Sequence, residues 1–210
     1  MEWSDLISQQ PALGKVAHEA LIEPGVLLIG TIRRDGSTRI SGVEPLIMDG
    51  LLWVSMLQDS MKAGDLRRDS RITLNSIVTS PDPITEIKVR GTVRRESDRA
   101  VHDRFAATVA ATLGWQPVVG RFTLFAIGID DVTYIGYDAE TRGQHVARWP
   151  ADIEYIRQAT TPTSLGPPRP VRRVLAIGQG SAQADRPAVT ARRALGVGHL
   201  AVDRHPAGGG

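Results

Sequence analysis

Residues 33–56 of the chain read RRDGSTRISGVEPLIMDGLLWVSM, and this stretch contains two Asp-Gly pairs, at 35–36 and at 49–50. Each pair is flanked by apolar residues, and an Asp-Gly pair in that setting is the strongest short-range signal for a β-hairpin turn. The pattern therefore predicts an antiparallel meander of three strands, at residues 26–33, 38–48 and 51–57.

The same alternation of strands and turns continues to about residue 150. Further strands are predicted at residues 72–78, 84–95, 121–129, 132–137 and 145–149. A short helix is predicted from Ser60, and an amphipathic helix from a Ser97 cap to a closing Gly114. Closely spaced strands with two inserted helices favour a barrel over a sheet of βαβ units, so the predicted fold class is mainly β (α+β).

Composition divides the chain into three segments. Residues 1–24 have apolar residues at helical spacing and are predicted to be an N-terminal helix, interrupted at Pro11. Residues 25–150 hold the predicted strands. Residues 151–210 contain six of the 13 prolines and eight of the 21 glycines, with Tyr155 as their one aromatic residue. Such a composition predicts a poorly ordered Pro/Gly/Arg-rich extension.

The overall composition excludes several kinds of site. There is no cysteine, so the chain has no disulfide, thiolate metal site or cysteine nucleophile. The first ten residues lack the apolar core of a secretory signal, and no apolar run reaches the ~20 residues that cross a bilayer. We therefore expect a cytoplasmic protein with no membrane partner. Arginine greatly outnumbers lysine, which suits phosphate or carboxylate binding but also follows from genomic base composition.

The best candidate for a ligand site is the stretch WVSMLQDSMKAGDLRRDSR, residues 53–71. It places Ser55 at the end of a strand, Ser60 at a helix start and Lys62 in the first turn of that helix. Unpaired backbone N–H groups at a helix start attract anions, and a hydroxyl and an ammonium strengthen such a site for phosphate. The alternative is a solvated surface helix, although a lysine in the first turn opposes the helix dipole and favours an anionic partner.

Residues 62–71, KAGDLRRDSR, resemble the K-A-x-x-L-R-R-D-P-R helix of the pyridoxamine 5'-phosphate oxidase-like family of flavin- and deazaflavin-dependent split-barrel oxidoreductases. The hairpins of residues 33–56 resemble those of the same family. VRGTVRR at 89–95 and VARWP at 146–150 are also similar. The resemblance covers roughly residues 25–150, with Ser70 in place of the usual proline.

The resemblance implies an FMN-binding split β-barrel that forms a homodimer, with the cofactor in a groove at the dimer interface. Without it, residues on the second strand are more often simply outward-facing. The residues that it implicates are Arg39 and Ser41 near the ribityl phosphate, Ser55, Ser60 and Lys62 at the phosphate, and the backbone of Val43, Glu44 and Pro45 along the ring.

The resemblance leaves two cofactors open, FMN and the deazaflavin coenzyme F-420. The deazaflavin carries an acidic oligoglutamate tail that needs a basic track. Arginines that could supply this track are Arg33, Arg34, Arg67, Arg68 and Arg71. The i, i+4 spacing of Arg67 and Arg71 predicts that they share one helix face. The leading interpretation is an oxidoreductase that moves a hydride between this cofactor and a small conjugated substrate.

Other functions are weaker on the sequence. No catalytic residue is assigned, because no nucleophile elbow, P-loop or metal-ligand spacing is present, which suits an enzyme whose cofactor performs the chemistry. An authentic pyridoxamine-phosphate oxidase lacks support because its R-L-H-D signature is missing near Trp149. A non-catalytic flavin or haem carrier of the same fold remains the alternative, with His145 as its haem ligand. Nucleic-acid binding lacks aromatics beside the basic residues.

Overall fold

The computed structural model describes residues 1–78 and 84–171, and in these ranges the chain forms four helices and twelve strands. In chain order they are α1 Trp3–Gln9, α2 Pro11–Leu21, β1 Leu27–Ile32, β2 Thr38–Val43, β3 Pro45–Met48, β4 Leu51–Leu57, α3 Met61–Arg68, β5 Arg71–Asn75, β6 Thr85–Glu96, α4 Arg99–Leu113, β7 Phe122–Tyr137, β8 Gln144–Trp149, β9 Ile153–Arg157, β10 Ala159–Thr161, β11 Ser164–Leu165 and β12 Arg169–Pro170.

Both hairpins form where the Asp-Gly pairs predict them. β1 pairs antiparallel with β2, and β3 pairs antiparallel with β4. Asp49 and Gly50 have φ values of 53° and 75°, the positive values that a two-residue hairpin turn requires. The strand predicted at residues 38–48 is nevertheless divided at Glu44. Its first half pairs with β1 and its second half with β4, so the sheet opens between β2 and β3.

A single path of antiparallel pairing runs through most of the sheet, in the order β12-β9-β8-β7-β6-β5-β1-β2, and β4 joins it through β7. β7 is 16 residues long and replaces the two strands predicted at 121–129 and 132–137. A bulge in β7 at Asp130, which lies between the partners of Arg90 and Gly91 on β6, shifts the register, and β7 continues without a break. The resulting sheet is curved but not closed.

Two apolar cores hold these elements together. The larger one fills the inside of the sheet, and α1 and α2 add Trp3, Leu6 and Leu21 to it. The predicted N-terminal helix is thus two helices packed on the barrel, and Pro11 is the first residue of α2. The smaller core lies on the opposite face of β4 and β7, where α4 packs Phe105 against that face. None of the helices in the described ranges has the length and apolar character needed to cross a membrane.

Two predicted boundaries are wrong. The cap of α4 is Asp98 and not Ser97, because the Asp98 carboxylate accepts a hydrogen bond from the Ala100 N–H at 2.8 Å. The poorly ordered extension does not begin at residue 151, because β9 pairs with β8 and β12 pairs with β9. Backbone pairing at the edge of the sheet orders this segment although few of its side chains are buried. Residues 172–210 lie outside the described residues.

Candidate functional site

Lys62 connects the start of α3 to the break between β2 and β3. Its Nζ donates a hydrogen bond to the Gly42 carbonyl at 3.0 Å. Ser60 caps the helix, and its Oγ accepts a hydrogen bond from the Ala63 N–H at 3.3 Å. Since the first N–H groups of a helix have no partner within the helix, the N–H groups of Met61 and Lys62 remain available. An ammonium and two backbone donors therefore lie together at this point.

Glu44 lies in the same region and is electrostatically coupled to Lys62. Although part of the Glu44 side chain reaches solvent, burial by the surrounding protein raises the pKa of its carboxyl, against the opposing charge of Lys62. Burial lowers the pKa of the Lys62 ammonium, and the charge of Glu44 acts against that shift. An anion placed beside Lys62 would favour its charged form, so the surroundings of Lys62 suit a phosphate.

At two positions near this point, no contact within the described residues requires a glycine. A Cβ at Gly42 would meet only a methyl of Val26, at 3.5 Å, and a Cβ at Gly64 only the guanidinium of Arg67, at 3.9 Å. Neither residue has the positive φ that favours glycine. Glycine inside a helix costs about 1 kcal/mol relative to alanine. Open space beside β2 and on the outer side of α3 is thus available to a molecule outside the chain.

A buried carboxylate holds α3 against the first hairpin. Asp65 is only 3% exposed and accepts hydrogen bonds from Thr31 Oγ1 at 3.0 Å and Arg39 Nε at 2.7 Å. Arg68 donates to the other carboxylate oxygen at 3.0 Å and to the Ile32 carbonyl at 2.8 Å. Burial alone would raise the pKa of Asp65, but the hydrogen bonds from Arg39, Arg68 and Thr31 outweigh it and lower the pKa.

The predicted site residues of β2 and β3 fall on both sides of the sheet opening. Arg39, Ser41 and Val43 alternate along β2 and share one face, on which Val43 is part of the barrel core. The Arg39 Nε pairs with the Asp65 carboxylate, whereas the Ser41 side chain is half-buried. Pro45 is buried at the first position of β3. The structure therefore brings Arg39 to α3, beside the helix that carries Lys62.

Ser55 lies farther from this group. It is two residues after Trp53 on β4 and shares the face that α4 covers, while Val54 and Met56 face the barrel core. Within residues 1–78 and 84–171, no hydrogen bond joins Ser55 to Ser41, Ser60 or Lys62. Its assignment to the phosphate stays a prediction.

The prediction that Arg67 and Arg71 share one helix face is wrong. α3 ends at Arg68, and Arg71 is the first residue of β5. Arg71 forms a two-pronged ion pair with Asp69, whose hydrogen bonds from Arg71 lower the pKa of the Asp69 carboxyl to about 2. Arg67 donates to the Gln58 carbonyl at 2.9 Å. Both guanidinium groups are exposed but already have acceptors within the chain.

His145, the candidate haem ligand, is engaged in a polar contact. Its Nε2 lies 2.7 Å from Glu154 Oε1, and its ring contacts that of Tyr134 edge-on. In the part of the chain that the structure describes, no group of three histidine, aspartate or glutamate residues is arranged to hold a metal ion. The contact with Glu154 makes an axial haem bond from Nε2 unfavourable.

Comparison with known proteins gives similarity in structure only, because no protein-family profile and no curated protein matches the chain. A protein of unknown function from Agrobacterium tumefaciens is similar with a TM-score of 0.51 and 15% identity, over 61% of this chain and 58% of that one. A putative pyridoxamine 5'-phosphate oxidase from Listeria innocua is similar with a TM-score of 0.47 and 14% identity, over 62% of this chain and 96% of that one. An F420 reductase is similar with a TM-score of 0.45 and 14% identity, over 55% of this chain and 94% of that one.

The chain forms an open, split β-barrel of antiparallel strands, the fold class that the sequence predicts. At identities near 15%, the similarity establishes the fold and leaves the activity open. The opening of this split barrel between β2 and β3 is where Lys62 approaches the sheet. A depression of about 510 Å³ lies elsewhere, at the β10–β11 hairpin, and none of the predicted site residues lines it.

The sequence pattern gives no prediction of a role for Asp65 or its partner Thr31. A carboxylate beside two arginines in a short helix has the pattern of a solvated surface, and its partners on β1 and β2 are distant in sequence. One signal was available, namely that Asp65 is placed three residues after Lys62 and three before Arg68, on neighbouring turns. Asp65 thus forms a buried contact in the split barrel, although its sequence context suggests exposure.

Proposed function

We propose that this chain is a cytosolic oxidoreductase that binds FMN or the deazaflavin coenzyme F-420 at the opening between β2 and β3. One observation carries the proposal: the Lys62 ammonium donates to the Gly42 carbonyl at the start of a helix whose first two N–H groups have no partner among residues 1–78 and 84–171. A phosphate accepts several hydrogen bonds and carries negative charge, so it complements this set of donors.

The hydroxyl groups around Lys62 suit the same ligand. The Ser60 Oγ accepts from Ala63, which leaves its own proton free to donate. Ser41 is a half-buried hydroxyl on β2, at the edge of the opening. We assign Ser60 and Lys62 to the phosphate, Ser41 to the ribityl chain, and the backbone from Val43 to Pro45 to the ring. Ser55, on the face of β4 that α4 covers, keeps its role at the phosphate only as a prediction from the sequence.

A bound flavin or deazaflavin supplies the hydride transfer, and the chain positions it and limits access of water. Within one chain the site is open on the outer side of β2, where the Ile40 side chain is 70% exposed beside Gly42. A second copy of the chain packed on this surface would bury Ile40 and close the site. The proposal therefore includes a homodimer, which sedimentation of wild-type and Ile40→Glu proteins would test.

Lys62→Ala is expected to weaken FMN binding by about 1.5–3 kcal/mol, the range for hydrogen bonds to charged groups. Flavin fluorescence titration at physiological salt measures the affinity. Lys88→Ala is the matched control, because Lys88 is a lysine of β6 whose ammonium pairs with Glu86 at 3.1 Å. Equal affinities for wild type and Lys62→Ala would contradict the proposed phosphate site.

The choice between the two cofactors is tested by the double variant Arg67→Ala/Arg71→Ala. If these exposed arginines follow the acidic tail of the deazaflavin, its affinity should fall by several-fold and more so at low salt, because exposed charge contacts are screened by ions. FMN lacks the tail, so its affinity should barely change. Paired titrations of both cofactors measure the difference.

A double variant on α4, Arg99→Ala/Arg104→Ala, controls for the loss of two exposed positive charges. Equal losses for FMN and the deazaflavin in the α3–β5 variant would favour FMN. The same holds if the wild-type protein binds FMN more tightly than the deazaflavin. Turnover with the reduced cofactor then separates an oxidoreductase from a carrier that only holds the flavin.

A further inference from the structure

We infer that Asp65 is the residue that positions Lys62 for the phosphate, and that Arg39 acts through Asp65 and not on the ligand. This inference rests on the proposed function and assigns a role to a residue that the sequence did not single out. The family resemblance places Arg39 near the cofactor, but the Arg39 Nε donates a hydrogen bond to the buried Asp65 carboxylate at 2.7 Å.

Asp65 joins three elements at one point. Thr31 donates to it from β1 at 3.0 Å, Arg39 from β2 at 2.7 Å and Arg68 from α3 itself at 3.0 Å. Arg68 continues the connection to the Ile32 carbonyl of β1. A carboxylate that holds donors from both strands of the first hairpin fixes the helix in position against that hairpin.

α3 depends on such contacts for its position. It has eight residues, and isolated helices of that length are unstable in water. Its buried apolar side chains are only Ala63 and Leu66. A small apolar contact sets the depth of a helix but constrains its rotation poorly, whereas directional hydrogen bonds constrain rotation. The Asp65 contacts are therefore what holds the helix in one orientation.

That orientation determines where Lys62 points. Lys62 and Asp65 are three residues apart, so they lie on neighbouring turns of the same side of α3. Asp65 meets β2 at Arg39, and Lys62 meets β2 at Gly42, three residues along the same strand. The two contacts together align the side of α3 with the end of β2. If the first is lost, the helix is free to turn and to carry Lys62 away from Gly42.

The charge of Asp65 also bears on Arg39. The Arg39 side chain is only 20% exposed, so its guanidinium needs a carboxylate partner. The hydrogen bonds that lower the pKa of Asp65 keep that partner charged at neutral pH. The bond from Arg39 Nε to Asp65 directs the Arg39 guanidinium towards α3, so we assign Lys62, and not Arg39, as the cation that meets the ligand.

The test compares FMN with riboflavin, which lacks the phosphate, in wild type and in Asp65→Asn. This substitution keeps the shape of the side chain but removes its charge. FMN affinity is expected to fall by about tenfold or more, because a charged hydrogen-bonding partner of the phosphate, Lys62, is misplaced, while riboflavin affinity changes little. In a Lys62→Ala background the same substitution should have almost no further effect. Asp69→Asn, in the exposed pair with Arg71, is the matched control.

Two variants keep the inference testable if Asp65→Asn does not fold. Asp65→Glu retains the charge and should recover part of the preference for FMN. Arg39→Gln leaves Thr31 and Arg68 on the carboxylate, and its effect should disappear in the Lys62→Ala background. An Arg39→Gln effect of full size in that background would mean that Arg39 contacts the phosphate directly, which would overturn the inference.

The outcomes separate this inference from the proposed function. A wild-type protein that binds FMN no better than riboflavin would contradict the phosphate site itself. A clear preference for FMN in wild type that persists unchanged in Asp65→Asn would contradict only the role of Asp65. Equal losses of FMN and riboflavin in Asp65→Asn would show a general structural effect and would also overturn the positioning role.

Discussion

Gly91→Ala is expected to destabilise the protein by about 3 kcal/mol, the upper end of the range for overpacking. A Cβ at Gly91 would overlap the carbonyl oxygen of Gly128 and lie 3.1 Å from its carbonyl carbon. Both are backbone atoms of the paired strand β7, so no side-chain rotation relieves the overlap. For a chain of this length, such a loss lowers the thermal midpoint by roughly 6–12 °C.

Gly30→Ala is the matched control for this prediction. Gly30 is also a strand glycine, but a Cβ there would meet the Thr73 carbonyl oxygen at 3.5 Å, an ordinary contact distance. Urea unfolding of both variants measures the free energy of unfolding. Similar urea midpoints for Gly91→Ala and Gly30→Ala would show that β6 and β7 can move apart at Gly91 with little loss of stability.

The bulge at Asp130, opposite Arg90 and Gly91, sets the course of β7. Beyond the bulge the register places Asp131 opposite Arg90, and Arg90 Nε donates to its carboxylate at 2.8 Å. Arg148 of β8 donates to the same oxygen at 3.2 Å. One extra residue in β7 thus separates its first half, which pairs with β4, from its second half, which pairs with β8.

Local sequence signals account for the parts of the fold that were predicted correctly. The Asp-Gly turns act over four residues, and the alternation that buries Ile87, Val89 and Val93 acts within one strand. The division at Glu44 carries no comparable signal, because it depends on which distant strand pairs with each half. The bulge at Asp130, which joins two predicted strands into β7, likewise depends on pairing with β6, a strand distant in sequence.

The candidate site likewise contains positions that local sequence patterns predict correctly and positions that they do not. Ser60 was predicted to be at a helix start, and it caps α3. Arg71 was placed on that helix because its spacing to Arg67 fits a helical turn, but Ile72 and Leu74 of β5 are buried at alternate positions, and the strand begins there instead. The order of residues 153–157 was missed because backbone pairing with β8, and not burial, holds that segment.

Phe105→Ala is expected to cost about 3–5 kcal/mol, the range for removing a buried phenylalanine. Phe105 is 2% exposed, and its ring centroid lies 5.6 Å from that of Phe122 on β7. It is the largest side chain that α4 packs on the outer face of β4 and β7. Its loss leaves a cavity in the smaller core, to which Trp53 also belongs, so the tryptophan emission of the folded protein is expected to shift to longer wavelength.

Leu113→Ala on the same helix is the control, because Leu113 is 40% exposed and its truncation should cost less than about 1 kcal/mol. The comparison also tests where the cofactor lies. α4 covers the face of the sheet opposite to the barrel core, whereas Lys62 and Gly42 lie at the opening between β2 and β3. FMN affinity of Phe105→Ala, measured well below its unfolding temperature, should therefore match that of wild type. A loss of affinity as large as that of Lys62→Ala would mean that α4 belongs to the binding site and that the phosphate lies nearer to Ser55.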